Sequence, residues 1–361
     1  MTAMSITLIR ERFAEQRRTR KARHRDIAAA FAISEGELVA AHADAAPPEP
    51  AQSMTATRLR AEWPALIEGL EPVGPVMALT RNESCVHEKT GVYANASHHG
   101  PVGLVLGGAI DLRVFYQRWA HGFAVEERTD GGPQRSLQFF DAAGTAIHKV
   151  FVRPQTDLAA WQALVARFVA ADQRAGISVQ PAEPAEPERA DAQIDVPALR
   201  AAWAGLRDTH EFFGLLKAHG VSRVQALRLA DPQCARRVDA GVASRALNGA
   251  AHAAVPIMVF VGNPGMIQIH GGPVSKVVTM GPWLNVLDDG FNLHLREDHI
   301  ASAWIVGKPT SDGLVTSIEL FDAAGATIAM LFGERKPGAP ELASWRALVA
   351  ALDTEAAPCA A

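Results

Sequence analysis

His210 stands between Asp208 and Glu211 and is followed at once by Phe212 and Phe213, so an imidazole, two carboxylates and aromatic surface meet within six residues. A neutral imidazole is a common metal ligand, and neighbouring aromatic rings suit a flat apolar molecule. Asp208 with Glu211 three residues on has capping-box spacing. Leu215 and Leu216 continue an apolar face and Gly220 supplies a stop, which predicts a helix with His210 in its first turn. Ser222 with Gln225 predicts the next helix start and sets Arg223 in its first turn. An imidazole and a guanidinium at the mouth of a helical pair suit a planar apolar ligand with anionic edges and an iron that takes neutral imidazole. A histidine at a helix start is more often a hydrogen-bonded structural group. These residues alone leave both readings open.

The elements that must hold this pair come from a duplication. Ser136 to Gly144 (SLQFFDAAG) returns as Ser317 to Gly325 (SIELFDAAG), an offset of 181 that also pairs Asn82 with Asn263, Gly91 with Gly272 and Phe123 with Trp304. Leu158 to Trp161 matches Leu342 to Trp345 at offset 184, and Leu59 to Trp63 matches Leu199 to Trp203 at offset 140. On that last match, about forty residues between Trp203 and Ile257 read as an insertion into the second half, and His210 lies inside it. Short runs such as 75–79, 102–106, 136–140 and 147–152, punctuated by Gly, Asn and Asp, predict antiparallel strands. Apolar residues at three- and four-residue spacing (Leu158, Trp161, Leu164, Phe168; Leu342, Trp345, Leu348, Leu352) predict a closing helix in each half. The expected fold class is α+β: a tandem structural duplication, each half a large antiparallel β-sheet flanked by helices. The expected domains are 1–178, a Pro-, Ala- and Glu-rich linker at 179–195, and 196–361 carrying His210. A similar break is expected over 45–57.

Composition narrows the function. The chain has 361 residues, with 35 Lys and Arg against 39 Asp and Glu, so no overall basic excess draws it to nucleic acid or anionic lipid. No apolar stretch is long enough to cross a bilayer. Cys85, Cys234 and Cys359 lack zinc, redox or covalent-haem spacing. Residues 1–25 lack the apolar core and cleavage site of a secretion signal, which predicts a cytoplasmic protein.

Several segments together resemble the cytoplasmic haemin-transport and haemin-degrading (HemS-type) family of bacterial haem-uptake systems. They are RNESCVHE at Arg81–Glu88, DLR at Asp111–Arg113, DTHEFF at Asp208–Phe213, IMVFVGN at Ile257–Asn263, KPTSDG at Lys308–Gly313 and GER at Gly333–Arg335. The resemblance covers nearly the whole chain. It implies haem (iron protoporphyrin IX) held between the halves, His210 as proximal iron ligand and Arg113 on the distal side. It also implies that Arg223, Lys308 and Arg335 neutralise the propionates by charge-assisted hydrogen bonds. A guanidinium is a poor metal ligand but can donate hydrogen bonds to water, hydroxide or dioxygen on iron. His87 lies on a strand-like stretch, where a structural role competes with a second, weaker haem contact. Gly307, Phe332 and Glu334 depart from the family pattern, replacing a basic residue, an aromatic hydroxyl and an amide. Phe332 cannot hydrogen-bond a propionate, and an ionised Glu334 would repel one.

Two haem-based functions fit equally: a carrier passing haem to a separate oxygenase, or an enzyme that opens the macrocycle and frees iron. The implied partners are haem, a haem oxygenase, an inner-membrane haem transporter and an electron donor, since no flavin or nicotinamide motif is present. A reading of another class is a DNA-binding regulator, because 25–40 resembles a helix-turn-helix after the basic run 17–25. Its second helix is acidic where phosphate contacts call for Lys or Arg, and nucleic acid is not the expected main partner. Oligomeric state is not assigned.

Overall fold

Alternation along the strands explains how one sheet buries two unlike faces. On the strand Ser302–Thr310, Ala303 and Ile305 enter one core while Trp304 and Val306 enter another, as a two-residue period requires. The structure, a computed structural model, describes residues 4–19, 22–44, 54–129, 131–182, 184, 186–335 and 338–354. It is a tandem α+β duplication of two large antiparallel sheets with flanking helices. No helix among the described residues is long and apolar enough to cross a membrane.

The first half runs α1 (Ile6–Thr19), α2 (His24–Ala30), α3 (Glu35–Ala40), β1 (Met54–Arg58), α4 (Trp63–Glu68), β2 (Val76–Arg81), β3 (Cys85–Gly91), β4 (Ala96–His99), β5 (Val102–Leu106), β6 (Asp111–Phe115), β7 (His121–Thr129), β8 (Gly132–Phe140), β9 (Ala146–Val152) and α5 (Leu158–Phe168). The second repeats the order: α6 (Val196–Ala204), α7 (Glu211–His219), α8 (Arg223–Leu229), β10 (Ala235–Val238), α9 (Val242–His252), β11 (Ile257–Asn263), β12 (Met266–Gly272), β13 (Val277–Met280), β14 (Trp283–Asp288), β15 (Phe291–Arg296), β16 (Ser302–Thr310), β17 (Gly313–Phe321), β18 (Thr327–Gly333) and α10 (Ala343–Thr354).

The forty-residue insertion is therefore not an insertion. β1 pairs antiparallel with β7 as β10 pairs with β16, and α2–α3 precede β1 as α7–α8 precede β10. The turn between the two helices confirms the match, since Ala32 has φ 56° and Gly220 φ 59°. The Trp63 and Trp203 segments look alike because each presents an indole to its sheet, Trp63 Nε1 donating to Trp119 O and Trp203 Nε1 to Gly307 O; they lie on non-equivalent helices, α4 and α6. The expected break at 45–57 is also corrected at its end. Residues 45–53 lie outside the described residues, while Met54–Arg58 forms β1 and pairs with β7, burying Met54 and Ala56.

Two compact units emerge. Unit 1 comprises Met1–Arg81, Glu88–Glu183 and Asn263–Gln268; unit 2 comprises Asn82–His87, Pro184–Gly262 and Ile269–Ala361. Each thus includes a short segment from the other half of the sequence. Within unit 2, the Asn82 amide donates to Gly262 O and Ile328 O while its oxygen accepts from Ser84 and Cys85 N–H. Within unit 1, Asn263 donates likewise to Arg81 O and Ile147 O. The repeated asparagine is a backbone clamp. Part of the predicted linker is also ordered: Gln225 donates to Arg189 O at 2.6 Å, Arg189 to His219 O, and Arg228 to Asp191 and Glu188. Polar ties to α7 and α8 hold it, and Ile194 at its end is buried in the core with α6, α7 and α8.

The helix-turn-helix reading of 25–40 meets an obstacle in α3. Glu35, Gly36, Leu38, Val39 and Ala40 are all buried, so the helix that would enter a major groove has no face to offer. Of the basic run, residues 17–19 and 22–25 are described; 20 and 21 are not. Ala32 carries a left-handed strain that Gly220 avoids. Ala32→Gly should therefore stabilise the protein by about 0.5–1 kcal/mol, and Gly220→Ala should cost about 1–2 kcal/mol. Chemical denaturation of both variants checks this, and shifts of the same sign would refute it.

Candidate functional site

In unit 2 the face of β16, β17 and β18 opposite α9 and α10 carries Trp304, Val306 and Phe321 into a core with α6, α7 and α8. The same alternation places Lys308, Ser317 and Glu319 on that face. Glu319 is fully buried yet ionised: burial alone would raise its pKa, but Arg223 and Lys308 outweigh that and hold it well below the usual carboxylate range. Arg223, set in the first turn of α8 by the Ser222 cap as predicted, grips both carboxylate oxygens at 2.7 and 2.8 Å. Lys308 Nζ donates to Oε1 at 2.7 Å and Ser317 Oγ at 2.9 Å. Burial lowers the Lys308 pKa to about 8, against the pull of Glu319. Phe212 roofs the group, its ring 5.0 Å from the guanidinium and 4.6 Å from the ammonium, braced edge-on by Trp203. Two cations against one anion leave a net positive charge.

His210 is the N-cap of α7 rather than a member of its first turn, with its side chain 88% exposed. The expected capping box is half formed. The Glu211 carboxylate accepts the N–H groups of Arg207 and Asp208, but Asp208 turns forward, accepting the His210 N–H at 2.8 Å and bonding His210 Nδ1 at 2.6 Å. Those bonds, the backbone one foremost, and the charge of Arg335 hold the Asp208 carboxyl below its ordinary value. Ser311 N–H donates to Arg207 O and ties this loop to the β16–β17 hairpin, next to which Arg335 pairs with Asp312 at 3.0 Å.

His210, Arg223, Lys308 and Arg335 belong to one unit, though the three cations are already paired and Lys308 is buried. Arg113 lies in unit 1 on β6, paired with Asp111. His87 is buried in β3, 5.0 Å from the Phe291 ring, on whose plane His270 stacks at 3.8 Å. Of the departures, Phe332 shares its face of β18 with Met330, which Arg223 touches, and packs edge-on to Phe260. Gly307 N–H donates to Cys234 O, and Glu334 N–H to Pro256 O. Sequence reasoning passed over Glu319, although the repeat displays it as the charged partner of Gln138, and it read Asp208 only as a cap. Among the described residues no His, Cys, Asp and Glu cluster could by itself hold a metal ion. An exposed imidazole such as His210 is too small a donor set for a bare ion, and it would suit a metal whose remaining coordination positions are largely filled by the ligand that carries it.

Unit 1 shows the reverse charge at the equivalent positions. Glu127 stands where unit 2 has Lys308, and it is met by Arg17 at 2.5 Å and by His24 at 3.0 Å, while buried Lys149 pairs with Glu35. Two carboxylates there offset two fixed cations. At these equivalent positions, fixed positive charge is in excess in unit 2 and balanced in unit 1.

The family profile described as "Haemin-degrading HemS.ChuX domain" matches residues 32–168 and again 220–352. The "Hemin transport protein HmuS" of Yersinia pestis is 41% identical over 332 residues, 91% of this chain and 92% of its own length. The crystal structure of holo-PhuS, a heme-binding protein from Pseudomonas aeruginosa, has 46% identity and a TM-score of 0.91, covering 96% of this chain and 98% of that one. ChuS, an E. coli heme oxygenase, has 38% identity and a TM-score of 0.84 over 95% of this chain and 99% of its own.

Proposed function

The chain belongs to the HemS/ChuX haemin-degrading family, and from that premise we propose that it is a cytoplasmic haem-binding protein of bacterial iron acquisition, with His210 as the iron ligand. The observation that carries this is the state of His210: an exposed imidazole with one nitrogen engaged by a carboxylate and Nε2 uncommitted among the described residues. Such a nitrogen is ready to take up a metal brought by a ligand. Haem, when bound, supplies the redox-active iron and two propionates. Arg223 and Arg335, whose side chains are a quarter and a fifth exposed, are assigned to the propionates. Lys308, at 3% exposure, contributes chiefly through the charge balance at Glu319. Family resemblance alone assigns Arg113 to hydrogen-bond the other ligand of the iron, and leaves His87 a secondary contact.

The relatives named as a transport protein and as a heme oxygenase support two uses of one binding site. In the first, the protein hands haem from an inner-membrane transporter to an oxygenase; in the second, it opens the ring with electrons from a partner. Titration of the purified protein with haemin should give a Soret band that saturates at a fixed stoichiometry. Binding no tighter than to an unrelated protein would defeat the proposal. Adding reductant to the ferric complex in air, with catalase present to remove peroxide, separates the uses: an intact spectrum marks the carrier, and a linear tetrapyrrole product the enzyme.

A further inference from the structure

We propose that Asp208 is a positioning residue for the iron: it fixes the tautomer and orientation of His210 before haem arrives and makes the imidazole a stronger donor to ferric iron. This rests on the reading of His210 as the ligand. The geometry needs little else. The Asp208 carboxylate, an acceptor only, lies 2.6 Å from Nδ1, so Nδ1 must carry the proton. In the neutral ring the lone pair then falls on Nε2, the nitrogen left for metal. A free imidazole has no such fixed choice and swings about its side-chain torsions. Here the second bond, His210 N–H to the same oxygen at 2.8 Å, ties ring and backbone to one atom, so the ring is anchored although its side chain is 88% exposed.

The carboxylate is itself anchored. Its own N–H and that of Arg207 reach the Glu211 carboxylate, at 3.3 and 2.9 Å, and Ser311 N–H reaches Arg207 O at 2.9 Å. Glu211 thus holds the loop that holds Asp208. With haem bound, Asp208 on Nδ1 would raise electron density on Nε2, so that His210 would hold ferric haem more firmly than ferrous.

The test compares Asp208→Ala and Asp208→Asn with His210→Ala. In the haem-free protein, ¹⁵N NMR of His210 should show the Nδ1–H tautomer dominant, and Asp208→Ala should shift it toward Nε2–H. Haem-loaded Asp208→Ala should bind ferric haem about 10–100-fold more weakly. Ferrous haem should lose less, so the reduction potential should rise; a tenfold difference between the two losses corresponds to about 59 mV. Asp208→Asn, whose amide oxygen still accepts from Nδ1, should restore the tautomer but only part of the potential. A merely structural role for Asp208 would move stability and leave tautomer and potential alone. If His210→Ala binds haemin normally, the reading of His210 as the iron ligand fails and this proposal with it. If His210→Ala loses binding while Asp208→Ala keeps the native tautomer, affinity and potential, the proposal alone is overturned.

Discussion

His210→Ala is expected to weaken haemin binding on the order of a hundredfold or more, a loss of about 2.7 kcal/mol or greater, and to change the Soret position, while leaving the protein's folding stability within about 0.5 kcal/mol. The two halves of this expectation come from separate observations. The side chain is 88% exposed, makes no capping bond to α7 and touches its neighbours mainly through Asp208, so its removal disturbs little packing. What is lost is an exposed imidazole whose Nδ1 is held by a carboxylate and whose Nε2 is uncommitted among the described residues. Apolar contact with the porphyrin and the excess positive charge near Glu319 would survive, so residual binding should persist. The discriminating control is His87→Ala. His87 is fully buried against Phe291, and its loss should cost stability more than haem affinity. Equal affinity of His210→Ala and the parent protein in equilibrium titration would place the iron ligand elsewhere.

The helix start beside His210 and the duplication were legible in the sequence because both leave short-range signatures: polar and aromatic residues around the start of α7, and a nine-residue repeat at a fixed offset. Arg223 fell in the first turn of its helix because the Ser222 cap is a local device. What the sequence concealed was the long-range partner. Glu319 lies 96 residues from Arg223 and 11 from Lys308, and only the fold of β16 onto β17 beneath α8 brings the three together. The false insertion has a similar cause. Trp63 and Trp203 share a local pattern because any helix lying on these sheets gains from an indole at that spacing. The true equivalence, α2–α3 with α7–α8, was hidden because unit 1 filled those helices with alanine where unit 2 uses phenylalanine and leucine. Its surviving mark was conformational, the left-handed residue at Ala32 and Gly220, which composition does not reveal. Likewise the tie of 188–193 to α7 and α8 runs through arginine and glutamine side chains, whereas a search for buried apolar surface sees only a linker.

Glu319→Gln should be strongly destabilising, costing about 3–5 kcal/mol near neutral pH, since it strands buried Lys308 and half-buried Arg223 without their anion. The pH dependence identifies the cause. In the native protein Glu319 has a folded pKa below its ordinary value of 4.5, so its contribution is complete above that value and is lost as acid carries the pH down through the folded one. Lys308 works in the other direction. Its pKa falls from 10.5 to about 8 on folding, so between those values the unfolded chain binds more protons and stability rises with pH. Removing the Glu319 charge takes away the attraction that opposes burial and leaves the repulsion of Arg223, which pushes Lys308 lower still. The variant therefore begins to gain stability at a lower pH than the parent, and its deficit should shrink as the pH rises from 6 toward 8. Adding Lys308→Met to Glu319→Gln should recover part of the loss at pH 6, because one stranded cation remains instead of two. Chemical denaturation of the parent, the two single variants Glu319→Gln and Lys308→Met, and the double variant at pH 6 and 8.5 closes the cycle. A deficit below about 1 kcal/mol, or one that grows with pH, would mean that the carboxylate does not carry the charge balance of the site.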